Sequence, residues 1–314
     1  SLRYFAFNRS FMKISVKLAG LPMEIGLQYS KYLYIFAPFA SEEPPRAFAS
    51  VSPDELARAA AWYPEGGAAY AEMMELCPRV SDALLPFGRL VFHALAFEWQ
   101  GRVWLLTGPS GVGKTTHYLR WKLRYGEELR LLNGDKPLLE IPPEGAITVH
   151  PSPWYGKEGM QQYFSGPLGG IILLEKAAEN RMRRMTPREA AGCLFTQLLI
   201  TRRDADSVRL ACALEQALLE RTPLWLLQNR GDSAAAELCR DTLKGADAAM
   251  KYAIQPGVLL ETVCDEHLLI ATGEARGKVP YVKNLNETGV WFWQLFEKQL
   301  DLAQIEQQAI QTFH

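Results

Sequence analysis

The residues between Leu105 and Thr116 carry the clearest chemistry in the chain. Gly108-Pro109-Ser110-Gly111-Val112-Gly113-Lys114-Thr115 fits the pattern G-x-x-x-x-G-K-[ST] without a mismatch. Glycines in such a loop let main-chain N–H groups turn inward around phosphate oxygens that side chains would obstruct. The helix expected next, "KTTHYLRWKLRYG", presents its positive end to the same anion. Lys114 reaches β- and γ-phosphates in this arrangement, Thr115 offers a hydroxyl to a magnesium ion, and Thr116 extends the phosphate-facing turn. The bland reading of the stretch is a glycine-rich turn that binds nothing.

A phosphate loop needs a carboxylate for its metal. Asp135 closes the short apolar strand "LLNGD", and strand ends in α/β sheets face the ligand crevice. Asn-Gly-Asp is also turn-like, so a structural aspartate is the alternative. His93 lies in "VFHALAF", on a strand that leads through Gln100-Gly101 into the loop. It reads either as a core histidine or as a ring that polarises a hydroxyl beside the γ-phosphate. Lys157, after the Pro-Trp turn in "HPSPWYGKEG", reads as a nucleotide or acceptor contact or as an exposed loop lysine. Arg202 and Arg203 read as charge for a transferring phosphoryl or as helix-end partners of Asp204 and Asp206, the second being favoured.

The elements that must hold these residues alternate. "GRLVFHALAFEW" and "GRVWLLTG" read as a hairpin, followed by the helix after the loop and the strand "LRLLNGD". "GGIILLEK" and "PLWLLQN" read as buried strands. "TPREAAGCLFTQLL" is a helix opened by Thr186 and Pro187, and "DSAAAELCRDTLKG" one capped by Asp232. This is an α/β pattern with some antiparallel pairing. Upstream, "FMKISVKLAG" and "KYLYIFAPF" read as strands, and "SPDELARAAAWY" as a helix with Ser52 as N-cap and Glu55 completing a capping box. Downstream, "GVLLETV", "EHLLIAT" and "KVPYVKNL" read as three strands, then "NETGVWFWQLFEKQL" and "LAQIEQQAIQTF" as two helices. The expected division is a mixed α/β region over 1–83, a nucleotide-binding domain over 84–254 and a small α+β, winged-helix-like domain over 255–314.

Composition narrows the function classes. Across 314 residues the formal net charge is −1, which gives no global field for nucleic acid or anionic membrane. The 5 cysteines are scattered with no C-x-x-C pair, which points away from a disulfide framework or zinc site and toward the cytoplasm. No apolar stretch approaches the roughly eighteen residues of a membrane span, and the first residues lack a signal-peptide layout. An N-K-x-D guanine motif is absent, which argues against a GTPase switch. Oligomeric state stays open, a homo-oligomer included.

The strand histidine, the hairpin, a loop of the G-x-S-G-x-G-K type and an acid closing the next strand together resemble the HPr kinase/phosphorylase family. That family is related to the nucleotide site of phosphoenolpyruvate carboxykinase. The likeness runs from about Leu84 to Leu243, most specifically from His93 to Asp135, and "HPSPWYGKEG" with "PLGGIILLEK" resembles its kinase-like branch. The resemblance implies an HPr kinase-like core and transfer of the γ-phosphoryl of Mg-ATP, or of GTP, to a hydroxyl. It implies a phosphate role for Lys114, metal roles for Thr115 and Asp135, and an active-site role for His93. One departure stands out: the family closes that strand with two acids, whereas this chain has Gly134-Asp135. Either His93 acts as base, or transfer relies on positioning and charge, or catalysis is weak or absent.

"YVKNLNETGVWFWQLFEK" resembles the PqqD-like module that recognises leader peptides of ribosomally made, modified peptides. It implies a Ser or Thr of a peptide or small protein as acceptor, a leader docking along 279–285, and peptide-modifying enzymes as partners. The stripe Trp291, Trp293, Leu295 and Phe296 reads equally as core. A kinase of a free small-molecule hydroxyl and a non-catalytic, nucleotide-dependent peptide adaptor are the alternatives.

Overall fold

A computed structural model of the chain describes residues 5–6, 12–156, 159, 161–201, 204–248, 254–278, 282–298, 300 and 302–313. Contacts divide it into two units, Ser1–Leu238 and Cys239–His314. Among the described residues the first unit is α/β with a mixed sheet, as the alternation of strands and helices implies.

The first unit opens with a four-stranded sheet, β1 (Phe5–Ala6), β2 (Met12–Leu18), β3 (Leu21–Leu27) and β4 (Ala47–Ser50), in that order. In β2 burial alternates at Ile14, Val16 and Leu18, as a half-covered strand requires. The stretch 31–39, read above as a strand, instead forms two turns of 3₁₀ helix over Leu33–Ile35 and Ala37–Phe39. Its buried residues, Ile35, Phe36 and Phe39, follow a helical spacing rather than an alternation, and Pro38 removes a ladder donor. Helix α1 (Pro53–Ala60) carries the expected capping box: the Glu55 N–H donates to Ser52 Oγ, and the Ser52 N–H to Glu55 Oε2. Helix α2 (Gly67–Leu84) follows and buries Leu76, Cys77, Val80 and Leu84 in a core shared with β2 and β3, Val91, Leu138 and Trp154.

The second sheet carries the phosphate loop. Its strands are β5 (Arg89–Val91), β6 (Ala94–Trp99), β7 (Arg102–Thr107), β8 (Leu129–Asn133), β9 (Leu138–Glu140), β10 (Thr148–His150), β11 (Gly166–Lys176), β12 (Arg181–Arg184) and β13 (Leu224–Asn229). Its helices are α3 (Lys114–Tyr125), α4 (Pro187–Phe195) and α5 (Ala205–Arg221), with α6 (Ser233–Ala248) after β13. The sheet runs β5-β9-β10-β11-β7-β6-β8, with β13 pairing β11 and β12. β11 lies parallel to β7 and to β13. These three strands are nearly continuous apolar runs, as parallel strands covered on both faces must be. Gly170 in β11 admits the Trp104 ring, because a Cβ there would sit 2.6 Å from it and 3.0 Å from the Pro223 carbonyl.

Strand direction brings the candidate residues to one edge. β7 ends at Thr107, just before the loop. β6 is antiparallel to β7, so its first residue, Ala94, pairs with Thr107. β8 is antiparallel to β6, so its last residue, Asn133, also arrives there and leads to Asp135. An aromatic cluster seats α3 on this sheet: Phe97 and Trp121 centroids are 5.3 Å apart, Trp99 and Trp121 5.5 Å.

In the second unit β14 (Val258–Val263), β15 (Glu266–Ala271) and β16 (Lys283–Leu285) form an antiparallel sheet in that order. A short helix α7 (Ala275–Lys278) precedes β16, and α8 (Glu287–Glu297) and α9 (Leu302–Phe313) follow. Asn286 caps α8 by accepting the Gly289 N–H. Leu295 is buried, and Trp291 packs on Phe313 of α9 at 5.0 Å between ring centroids. The part of the expected docking strand at 279–281 lies outside the described residues, and β16 is an edge of the described sheet.

Candidate phosphoryl-transfer site

The loop over residues 108–113 leaves β7 and enters α3. Gly108 and Gly113 have φ of +137° and +106°, conformations that L side chains rarely adopt. No side chain caps the first turn of α3, so its leading N–H groups have no side-chain acceptor at the end where the loop enters. Lys114 is buried and donates from Nζ to the Gly108 carbonyl at 3.0 Å and to that of Pro109 at 3.5 Å. Burial lowers its pKa and the nearby Asp135 carboxylate opposes that shift. Thr115, half-buried, and Thr116, exposed, complete the first turn.

Asp135 is held by the buried Asn133, whose Oδ1 accepts the N–H groups of Asp135 at 2.9 Å and Lys136 at 2.8 Å. The turn foreseen for Asn-Gly-Asp is therefore made by the asparagine, which leaves the aspartate free for other work. Asp135 Oδ1 lies 3.4 Å from His93 Nε2, and Oδ2 is ion-paired with Lys136 Nζ. Burial pushes its pKa up, but the His93 hydrogen bond and the Lys136 charge outweigh it, bringing the carboxyl from 3.8 to about 2. A carboxylate held that firmly anionic suits a counter-ion or a metal ligand better than a proton acceptor near neutrality.

His93 does not lie within a continuous strand. The stretch read as one strand breaks between β5 and β6, where residues 197–199 run alongside: the His93 N–H donates to the Gln197 carbonyl at 2.8 Å, and Phe92 bridges Leu198. Thr107 Oγ1 donates to the His93 carbonyl at 2.8 Å, and Gln197 Oε1 lies 3.0 Å from His93 Nδ1. The structure thus brings His93, Lys114 and Asp135 to one edge with the loop. Lys157, Arg202 and Arg203 lie outside the described residues.

Three contributors escaped sequence reading. Lys136 was hidden by its neighbour's role as the strand-closing acid. Asn133 was read only as a turn residue. Gln197 reaches His93 across 104 positions of sequence, which no local pattern reports. A cavity of about 620 Å³ adjoins the loop, lined among others by Ser110, Glu175, Cys193, Thr196 and Gln197. That volume lies in the range of small-molecule sites.

Among the described residues no group of three or more His, Cys, Asp or Glu side chains is placed to hold a metal. Magnesium bound with phosphates needs only one or two protein donors, the rest being phosphate oxygens and water. The Thr115 hydroxyl and the anionic Asp135 fit that donor set.

No family model matches the chain, and no curated protein matches it. Among solved structures, the HPr(Ser) kinase/phosphatase from Coxiella burnetii matches over 51% of this chain and 95% of that one, at 11% identity and a TM-score of 0.29. Among the described residues no helix is long and apolar enough to cross a membrane.

Proposed function

We propose that the chain is a kinase that moves the γ-phosphoryl of a magnesium-bound nucleoside triphosphate to a hydroxyl. The observation that carries the reading is the convergence of His93 Nε2, 3.4 Å from Asp135 Oδ1, with a phosphate loop whose lysine feels the same carboxylate. The loop amides and Lys114 hold the β- and γ-phosphates. Thr115 and Asp135 hold the ion, which supplies positive charge to the transferring group when bound. Asp135 at about 2 is too weak a base to take the hydroxyl proton, so His93 takes it. Lys136, paired to the same carboxylate, adds positive charge beside the reacting oxygens.

We assign the acceptor to a Ser or Thr of a peptide or small protein, with ATP as donor. Residues 255–314 would deliver it, a leader peptide docking along 279–285, with enzymes of peptide modification as partners. Support comes from the sequence resemblance and from the edge position of β16. The test is incubation with γ-labelled ATP and a panel of hydroxyl acceptors: precursor-like peptides, free amino acids and sugars. Label on a peptide hydroxyl supports the reading, and label on metabolites alone moves the acceptor class. ATP bound with no label on any hydroxyl refutes the kinase.

A second reading has its own observation. Both Asp135 oxygens already have partners, Lys136 Nζ and His93 Nε2, and the chain lacks the second acid. An adaptor that binds nucleotide and peptide without chemistry would keep its peptide affinity in Asp135→Asn, whereas the kinase loses turnover.

A further inference from the structure

We propose that the cavity beside the phosphate loop is the acceptor subsite, and that Gly192 keeps it open to a Ser or Thr together with its flanking backbone. This assignment rests on the phosphoryl-transfer reading and gives the acceptor of that reading a place and a chemical class.

The cavity, of about 620 Å³, lies at the carboxyl end of β11 and is walled by the loop and by helix α4. Crevices outside the carboxyl ends of parallel strands are where α/β sheets hold ligands. Two marks place this one at the γ end of the triphosphate. The first is Lys114, whose Nζ is the group that reaches β- and γ-phosphates. That Nζ lies against the carbonyls of Gly108 and Pro109, and Pro109 is part of the cavity wall. The second is Gln197, also part of the wall, whose Oε1 lies 3.0 Å from one nitrogen of the His93 ring. The other ring nitrogen is 3.4 Å from the Asp135 carboxylate. Lys114, Thr115 and Thr116, the first turn of α3, do not line the cavity. A ligand held here meets the loop on the side of the group to be transferred, not along the nucleoside.

Glycine at 192 has no structural cause. It sits inside α4, where Ala or Leu would favour the helix. No left-handed backbone calls for it. Nor does a close neighbour: among the described residues a Cβ at this position would meet nothing within 4 Å. Gly192 lines the cavity, so a side chain there would take up room that a ligand otherwise has. The helix gives up stability at this position and the cavity stays wide.

Size and charge define the occupant. The volume exceeds what one serine or threonine side chain fills and suits that residue with its neighbours. The two charged residues on the wall, Glu175 and Lys176, are opposite in sign, so the wall favours neither an acidic nor a basic segment. The occupant is an uncharged stretch of peptide with the hydroxyl residue at its centre.

The test compares Gly192→Ala and Gly192→Leu with the parent, using γ-labelled ATP and a library of Ser- and Thr-centred peptides with neutral flanks. Acceptor kcat/KM should fall a few-fold in Gly192→Ala and on the order of 10²-fold in Gly192→Leu. The Kd of a non-hydrolysable ATP analogue with magnesium, read by calorimetry, should stay within about twofold of the parent. The urea midpoint should not fall, because either residue favours the helix. Acceptor turnover lost in a chain no less stable is a result that a merely structural role would not give. Should Gly192→Leu fail to fold, alkylating the exposed Cys193 with N-ethylmaleimide adds bulk to the same wall of the native chain. Cys212→Ser and Cys264→Ser remove the other exposed thiols, and the same split is expected. Variants that label peptides as well as the parent does overturn the subsite and leave the kinase standing. Nucleotide affinity lost in step with turnover also overturns it, since the cavity then holds the nucleoside. Label on free amino acids or sugars alone overturns the peptide occupant. A parent that labels no hydroxyl refutes the kinase reading itself, and the subsite with it.

Discussion

Replacing Asp135 with asparagine removes the charge that both His93 and Lys136 address while leaving the side-chain volume. Folding brings this carboxyl from 3.8 to about 2 despite its burial, with the His93 hydrogen bond and the Lys136 charge responsible. A shift of that size corresponds to about 2 kcal/mol of preference for the ionised, folded form. Because the folded pKa is the lower one, the stabilisation is complete above 3.8 and disappears as pH falls through about 2. Urea unfolding of parent and Asp135→Asn should therefore differ by about 2 kcal/mol at neutral pH, with midpoints converging as pH approaches 2. Taking the difference cancels the many carboxylates that titrate in both chains. A gap that persists unchanged at the acid end, or no gap at neutrality, would refute the idea that Asp135 is held as a paired anion.

Other perturbations address the loop and the frame. Lys114→Ala should lower kcat by about 10²- to 10³-fold and weaken nucleotide binding, read by steady-state kinetics and calorimetry. Gly108→Ala places a Cβ 3.0 Å from the Leu174 carbonyl at φ +137°; it should cost roughly 1–3 kcal/mol in unfolding and weaken nucleotide binding. Ser52→Ala breaks the capping box of α1 and should lower stability by about 1 kcal/mol without altering turnover, since α1 contributes no residue to the site.

Sequence and structure agree where the determinants are local. The eight-residue loop pattern needs only its own glycines and lysine. The capping box at Ser52–Glu55 and the helix start at Thr186-Pro187 are each set within a few residues, and the structure has both. The Gln100-Gly101 turn likewise carries its own left-handed conformations, φ +52° and +71°. Legibility fails where the determinant is distant or the composition ambiguous. The aromatic stretch 31–39 has strand-like residue types, yet its burial follows a helical spacing. His93 leaves its strand because residues 197–199 run past it, and that pairing has no signature near either segment. Gln197 matters through a side-chain contact closed by the whole sheet.

The most direct measurement is a crystal structure with magnesium and a non-hydrolysable nucleoside triphosphate. Phosphate oxygens should sit on the amides of residues 111–115, with Lys114 released from the Gly108 carbonyl to the phosphates and the ion between Thr115 and Asp135. A loop left bare, or an ion bound with Asp135 still closed on Lys136, would contradict this arrangement.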